Sequence, residues 1–423
     1  MYKNLSDKKT SKVLFLLCWL AYSVSYLGRL NFTAALAGMI IDNVFTKPQA
    51  GLIGTMFFMA YGVGQFINGF LGDKKSPFIL IFIGLSVSAL ANITMAFTQN
   101  YILMLIIWGI NGYVQSMIWS PILFILSNIL HKDQTYNACI NISTTVPAGT
   151  FCAYLFSLVA INFWGWKSVF IMGFLFLFLV SVLWVVGAKV VKKQLKKESA
   201  LESVNLDSIK KEPNMLEKNI DKSKSLWKLL LIGGIFIIAI PVAIQGMLKD
   251  GVMTWVPTMM SEIFHVTPSF SLFLTMFIPV INLTGAYSAS FLFRKYIHDE
   301  IKTAILFFGI SLLGVIGLMF IKSTNIYFNV CLLSIVTSSM FAINALLITL
   351  VPVKFAKYGK ASTVSGILNS IAYIGCAISN FGFGFFAENY GWVFTILTWV
   401  VLAVLAIVFC VVSLPKWKKF SKA

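Results

Sequence analysis

Twelve stretches of this sequence, each about 20 residues or longer and nearly free of charge, leave the chain few folds to choose from. The hydrocarbon core of a bilayer takes ~20 apolar residues per helix. Lipid offers no partner to backbone amides and carbonyls, so segments of this kind cross it as helices. The runs fall at about 13–40, 48–71, 76–98, 101–130, 134–161, 166–190, 227–261, 268–292, 301–321, 326–352, 361–387 and 391–413. Only 11% of the 423 residues are charged, against roughly 25% in soluble domains. The expected fold is an all-α polytopic membrane protein with 12 transmembrane helices.

The formal net charge of +18 does not point to nucleic acid, because its distribution follows membrane topology. The N-terminal residues, the turns near 71–76, 130–134, 292–302 and 352–360, the 189–228 stretch and the C-terminal tail hold 28 of the 33 Lys and Arg. The opposite loops hold Lys47, Lys167 and Lys322. Basic residues stay on the cytoplasmic side, so both termini are expected in the cytoplasm of a multi-pass protein of the cell membrane. The first apolar run is too long for a signal-peptide core and is expected to be retained as the first span. Residues 191–226 are polar and charged, contain Pro213, and read as a linker, partly disordered and able to lie along an anionic leaflet. The domain reading is therefore 1–190, a linker at 191–226, and 227–423.

The six cysteines (Cys18, Cys139, Cys152, Cys331, Cys376, Cys410) show no metal or disulfide spacing and read as buried small residues. No phosphate loop of the GxxxxGK[ST] type occurs, nor any nucleophile–base or metal constellation. The expectation is a non-enzyme without cofactor or metal.

The halves repeat each other. Gly165-Trp166 opens the sixth run and Gly391-Trp392 the twelfth, 226 residues later; Gly149 and Gly375 share that offset, while Arg29 and Lys249 are 220 apart. A duplicated six-span unit with its substrate site near midplane is the major facilitator plan, and Gly72-Asp73-Lys74-Lys75 is similar to that superfamily's turn between spans two and three.

Arg29 and Lys249 are the two basic residues placed deep inside apolar runs. A charge near the bilayer centre costs at least ~3 kcal/mol and normally faces a cavity. Two such cations read as a clamp for a small anion. Arg29 lies ~24 Å along the first run from Val13 at 1.5 Å per residue, with Tyr22 and Tyr26 on its helical face. Lys249 comes late in a span beginning at 227, where a lysine can snorkel outward. Its neighbour Asp250 is not expected to face it, since adjacent helical side chains diverge. Asp250 is also the one carboxylate within a run, Asp42, Glu262 and Glu388 lying at span ends; this scarcity favours anion exchange over a proton relay. Pro121, Pro147, Pro241, Pro257, Pro279 and Pro352 mark places where spans can bend.

The stretches YSVSYLGRLNFTAAL and AYGVGQFINGFLGDK, the set Gln115, Met117, Trp119 and Pro121, and the run KDGVMTWVPTMMSE resemble the organophosphate:phosphate antiporters. That group holds the glycerol-3-phosphate and hexose-phosphate carriers. The resemblance implies that Arg29 and Lys249 occupy the family's two phosphate-binding positions, the second changed to lysine, which lacks the bidentate fork. It also implies that Tyr22, Tyr26, Tyr61, Trp119, Asn141 and Tyr373 line the cavity. Gln65 and Thr144 stand where the glycerol-3-phosphate branch has a lysine and a histidine.

The function expected is secondary transport of a phosphorylated metabolite exchanged for inorganic phosphate by alternating access, with Tyr61, Gln115, Asn141 and Tyr373 at the organic part. The substrate-binding set is Arg29, Lys249, Tyr22, Tyr26, Tyr61, Gln65, Gln115, Trp119, Asn141 and Tyr373. The expected partners are the small anion and the lipid bilayer, and the family resemblance implies a monomer. Two alternatives stand: a proton-coupled carboxylate or sugar-acid symporter of the anion:cation group, whose Y-x-x-R-x-N pattern Tyr26, Arg29 and Asn31 satisfy, and a non-transporting sugar-phosphate sensor.

Overall fold

The computed structural model describes residues 5, 7–71, 76–131, 138, 141–205, 226–320, 325–355, 358 and 360–422. Among the described residues, twelve helices are long and apolar enough to cross a membrane. Spans 1 to 6 are Lys8–Ile41, Lys47–Asn68, Pro77–Phe97, Tyr101–Leu126, Thr145–Trp164 and Trp166–Leu195. Spans 7 to 12 are Ile235–Phe264, Pro268–Ile297, Glu300–Leu318, Ile326–Val353, Thr363–Asn389 and Gly391–Ser421. The Gly72–Lys75 turn and residues 206–225 lie outside the described residues. The helix of span 6 runs on through Asn205, so the first part of the segment read as linker is helical.

Local chemistry fixes where the helices begin. Asp7 accepts from the Lys9 and Thr10 amides, Asn100 from Leu103, Thr267 from Phe270, and Asp299 from Ile301 and Lys302. Each side chain satisfies amides that an open first turn leaves orphaned. The Asp7 carboxyl is held below its ordinary range chiefly by the Thr10 hydroxyl and the backbone amides of Lys9 and Thr10.

The internal repeat is visible in two pairs of contacts and one pair of turns. In the first half, Gly149 of span 5 lies against the Ser23 carbonyl of span 1; in the second, Gly375 of span 11 lies against the Ala243 carbonyl of span 7. Trp166 Nε1 donates to Asp42 Oδ2 at 2.9 Å, and Trp392 Nε1 donates to Glu262 Oε2 at 2.8 Å. Gly165 and Gly391, with φ of 72° and 80°, turn the chain into the spans that carry these tryptophans. Spans 5 and 6 thus match spans 11 and 12 at an offset of 226, while spans 1 and 7 match at 220. Arg29 and Lys249 each follow the equivalent crossing carbonyl by six residues, so they occupy equivalent positions.

The halves meet chiefly along spans 2 and 11, with further packing of span 5 on span 8 and span 1 on span 7. Gly51 and Gly54 of span 2 let that helix rest on Asn380 of span 11, and the Thr55 hydroxyl donates to the Ala377 carbonyl at 2.6 Å. Small residues permit such close approach in a bilayer, where contact rather than hydrophobicity drives association. At the end of the bundle opposite the termini, Lys47 Nζ reaches Glu262 Oε2 at 2.9 Å and Glu388 Oε2 at 3.7 Å. At the other end, buried Glu300 accepts from Trp417 Nε1 at 3.1 Å and pairs with Lys354 at 3.6 Å.

Span 7 departs from a plain helix twice. A helix over Leu226–Ile232 stops at Gly233-Gly234, where Gly234 has φ of 68°, and a new one starts at Ile235. A π turn over Met247–Gly251 then separates Ile235–Gly246 from Val252–Phe264. The break corrects the expected start of this span near 227. Lys249 therefore sits about midway along the membrane crossing, not near its far end.

Candidate functional site

Span 1 supplies Tyr22, Tyr26 and Arg29, spaced so that all three share one face. The Arg29 guanidinium carbon lies 4.0 Å from the Tyr26 ring centre and 5.5 Å from that of Tyr61 in span 2. The Tyr22 ring meets Tyr26 edge-on at 5.5 Å and packs against Trp119 of span 4 at 4.5 Å. Tyr61 in turn packs on Tyr373 of span 11 at 4.7 Å, which closes the aromatic wall across the two halves. Ring faces stabilise a partly desolvated cation by roughly 0.5–2 kcal/mol each. Among the described residues no carboxylate lies within ion-pair distance of Arg29.

Lys249 is held differently. Its Nζ lies 3.2 Å from Asp250 Oδ2 and 5.2 Å from the centre of the Phe341 ring in span 10. This corrects the expectation that Asp250 does not face Lys249. The pair sits in the π turn, where a wider ring of five residues brings successive side chains closer in angle than an α-helix does. The long lysine stem then folds back on its neighbour. Asp250 Oδ2 also accepts from Cys376 Sγ of span 11 at 3.5 Å. Of the two basic side chains, Lys249 is paired with a carboxylate, while among the described residues Arg29 has none within ion-pair distance.

Below Arg29 lies a network of buried amides in which sequence reasoning singled out Asn31 and Gln115 but neither Asn92 nor Asn111. The Gly28 carbonyl accepts from Asn92 Nδ2 at 3.0 Å and from Asn111 Nδ2 at 2.9 Å. Asn31 Nδ2 donates to Asn92 Oδ1, and Ser88 Oγ donates to Asn111 Oδ1 at 2.6 Å. The Phe32 amide, which serves the Gly28 carbonyl in an uninterrupted helix, also donates to Asn31 Oδ1 at 2.9 Å. Spans 1, 3 and 4 are thereby locked together one residue before Arg29. Three asparagines buried in apolar runs were the available signal, since an amide in lipid is costly unless bonded.

Gln115 belongs to this network, donating to Ser88 Oγ at 3.0 Å with 2% of its surface exposed. It supports the floor of the site. Trp119 backs Tyr22, and half-buried Gln65 lies one turn beyond Tyr61 on span 2. Asn141 is exposed, just ahead of the 3₁₀ turn Ile142–Thr144 that leads into span 5, and its carbonyl accepts from Thr144 Oγ1 at 2.7 Å. Thr144 Oγ1 accepts from Trp19 Nε1 at 2.9 Å. The structure thus gathers Tyr22, Tyr26, Arg29, Tyr61, Trp119 and Tyr373 in one cluster, while the contacts of Lys249 are Asp250 and Phe341. Asn141 lies toward the terminal end of the bundle.

Twelve spans in two repeated halves, with basic side chains from both halves in an interior lined by aromatic rings, are the plan of a polytopic membrane transporter. The chain belongs to the Major Facilitator Superfamily, whose model matches residues 18–380. It is 24% identical over 427 residues to the "Probable hexose phosphate transport protein" of Chlamydia trachomatis, covering 96% of this chain and 90% of that one. It is 25% identical over 416 residues to the "Glycerol-3-phosphate transporter" of Bacillus subtilis, covering 95% of this chain and 92% of that one. The fold superposes on the inward-facing, occupied crystal structure of a bacterial homologue of the human lysosomal transporter Spinster. There the TM-score is 0.80 at 13% identity, over 98% of this chain and 99% of the other.

Proposed function

We propose that the protein carries a phosphorylated small metabolite across the cell membrane in exchange for inorganic phosphate, as a single chain with both termini in the cytoplasm. The observation that carries this reading is Arg29, a guanidinium at mid-span with tyrosine rings for neighbours and no carboxylate partner among the described residues. A planar fork of N–H donors suits the oxygens of a phosphoryl group, and charge-assisted bonds of this kind are about twice as strong as neutral ones. Lys249 supplies the second charge from the other half. A doubly contacted anion would draw the halves together, so the loaded carrier reorients more readily than the empty one. The names of the Chlamydia and Bacillus relatives support a phosphate ester as cargo.

The test is uptake of labelled phosphate into proteoliposomes preloaded with unlabelled phosphate, with hexose 6-phosphate, glycerol 3-phosphate and carboxylates as competitors. Exchange that a phosphate ester blocks and Arg29→Ala abolishes supports the reading. Folded protein that exchanges no phosphate but takes up a carboxylate overturns it.

A further inference from the structure

The two cations are not equivalent, and the difference concerns the proton. Arg29 and Lys249 bring two positive charges to the site and Asp250 one negative charge. A phosphate ester, whose second pKa is about 6, is largely dianionic above neutral pH. For its oxygens to reach Lys249 they must approach a carboxylate lying 3.2 Å from the same nitrogen. Two carboxylate-like anions crowded into one site do not both stay ionised.

We propose that Asp250 is a proton-linked stand-in for the substrate anion. In the empty carrier it is ionised and neutralises Lys249. When a dianionic phosphoryl group takes Lys249, Asp250 binds one proton from water at Oδ2, and the loaded site becomes neutral. No other bond forms or breaks.

The surroundings of Asp250 fit both states. Cys376 Sγ has two acceptors in reach, Asp250 Oδ2 at 3.5 Å and the Gly246 carbonyl at 3.2 Å. Its S–H serves the ionised carboxylate in one state. In the other it turns to the carbonyl, leaving sulfur to accept from the new O–H. The remaining titratable neighbours are Tyr154 of span 5 and Tyr373 of span 11, and span 10 presents the Phe341 ring to Lys249. Among these groups Asp250 is the carboxylate, and it holds the cation that the cargo needs.

This inference rests on the phosphate reading of the clamp, and the experiment separates the two. Calorimetric titration of the purified full-length protein with inorganic phosphate, in buffers of differing ionisation enthalpy at pH 8, counts protons taken up per anion bound. Wild type is expected to take up about one, with Kd rising up to ~tenfold per pH unit, the slope of single-proton linkage. Asp250→Asn is expected to bind phosphate with no proton uptake and a flat pH profile, and Asp250→Glu to restore the linkage. Infrared difference spectra of the wild type, which need no variant, should gain a protonated-carboxyl C=O band on adding phosphate. Phosphate binding by wild type without that band, or proton uptake that persists in Asp250→Asn, overturns the role of Asp250 while leaving phosphate transport standing. Failure of wild type to bind any phosphate compound overturns both.

Discussion

Lys47 Nζ lies 2.9 Å from Glu262 Oε2, so the first residue of span 2 is ionically tied to the last turn of span 7 in the other half. The same carboxylate is already the acceptor for Trp392, whose equivalent in the first half, Trp166, bonds Asp42. The repeated tryptophan–carboxylate bond is thus internal to one half, and Lys47 turns its second copy into a latch between halves.

Under the proposed exchange cycle, in which the halves reorient around the cargo, this latch breaks in each turnover. We predict that Lys47→Met opens the end of the bundle opposite the termini, seen as a longer-distance population between spin labels at positions 43 and 265. Glu262→Gln should have a larger effect than Glu388→Gln, because the Glu388 contact is longer at 3.7 Å. Equal distances in wild type and Lys47→Met would show that helix packing alone closes this end.

Removing one member of the Lys249–Asp250 pair leaves the other charged and desolvated. Lys249→Gln is predicted to destabilise the protein by somewhat less than the ~3–5 kcal/mol of fully buried pairs, since the Asp250 side chain is 29% exposed. The double variant Lys249→Gln/Asp250→Asn should recover part of that loss. A thermal-unfolding cycle of wild type, both singles and the double measures the coupling, and strictly additive effects would contradict an energetically meaningful pair.

Gly375 rests against the Ala243 backbone of span 7, where an added Cβ has no room. Gly375→Ala is predicted to cost about 1–3 kcal/mol, the usual range for overpacking. Gly382 on the same helix faces open space, and Gly382→Ala should be near neutral. Denaturation midpoints in detergent check the contrast, which disappears if the two spans can shift apart freely.

Gln115 donates to Ser88 Oγ in the network that bonds the Gly28 carbonyl, one residue before Arg29. Gln115→Met is predicted to lower stability by about 1–2 kcal/mol, the scale of a lost buried hydrogen bond, and to weaken phosphate binding less than Arg29→Ala. A selective change in preference among phosphate esters at unchanged stability would instead place Gln115 against the organic part of the cargo.

Much of this protein was fixed by periodic apolar runs and by a few exceptions to them. Twelve spans follow from segment length because lipid leaves a helix as the only way to satisfy the backbone. Arg29 was legible because a charge at mid-span is expensive and needs a reason, and the Gly-Trp pairs exposed the repeat because the same turn and the same indole recur. The tertiary structure decided the rest. Where span 7 begins depended on Gly234 adopting a left-handed conformation, which hydropathy does not register, and this moved Lys249 to the middle of the bundle. The Lys249–Asp250 pair depended on a π turn, because under regular helical geometry the two side chains diverge. That Gln115 is buried and bonded to Ser88 was not legible in the sequence, since hydrogen-bond partners from spans 1, 3 and 4 meet only after packing. Periodicity along a chain reports which face of a helix is apolar; which polar groups face one another is a property of how the helices cross.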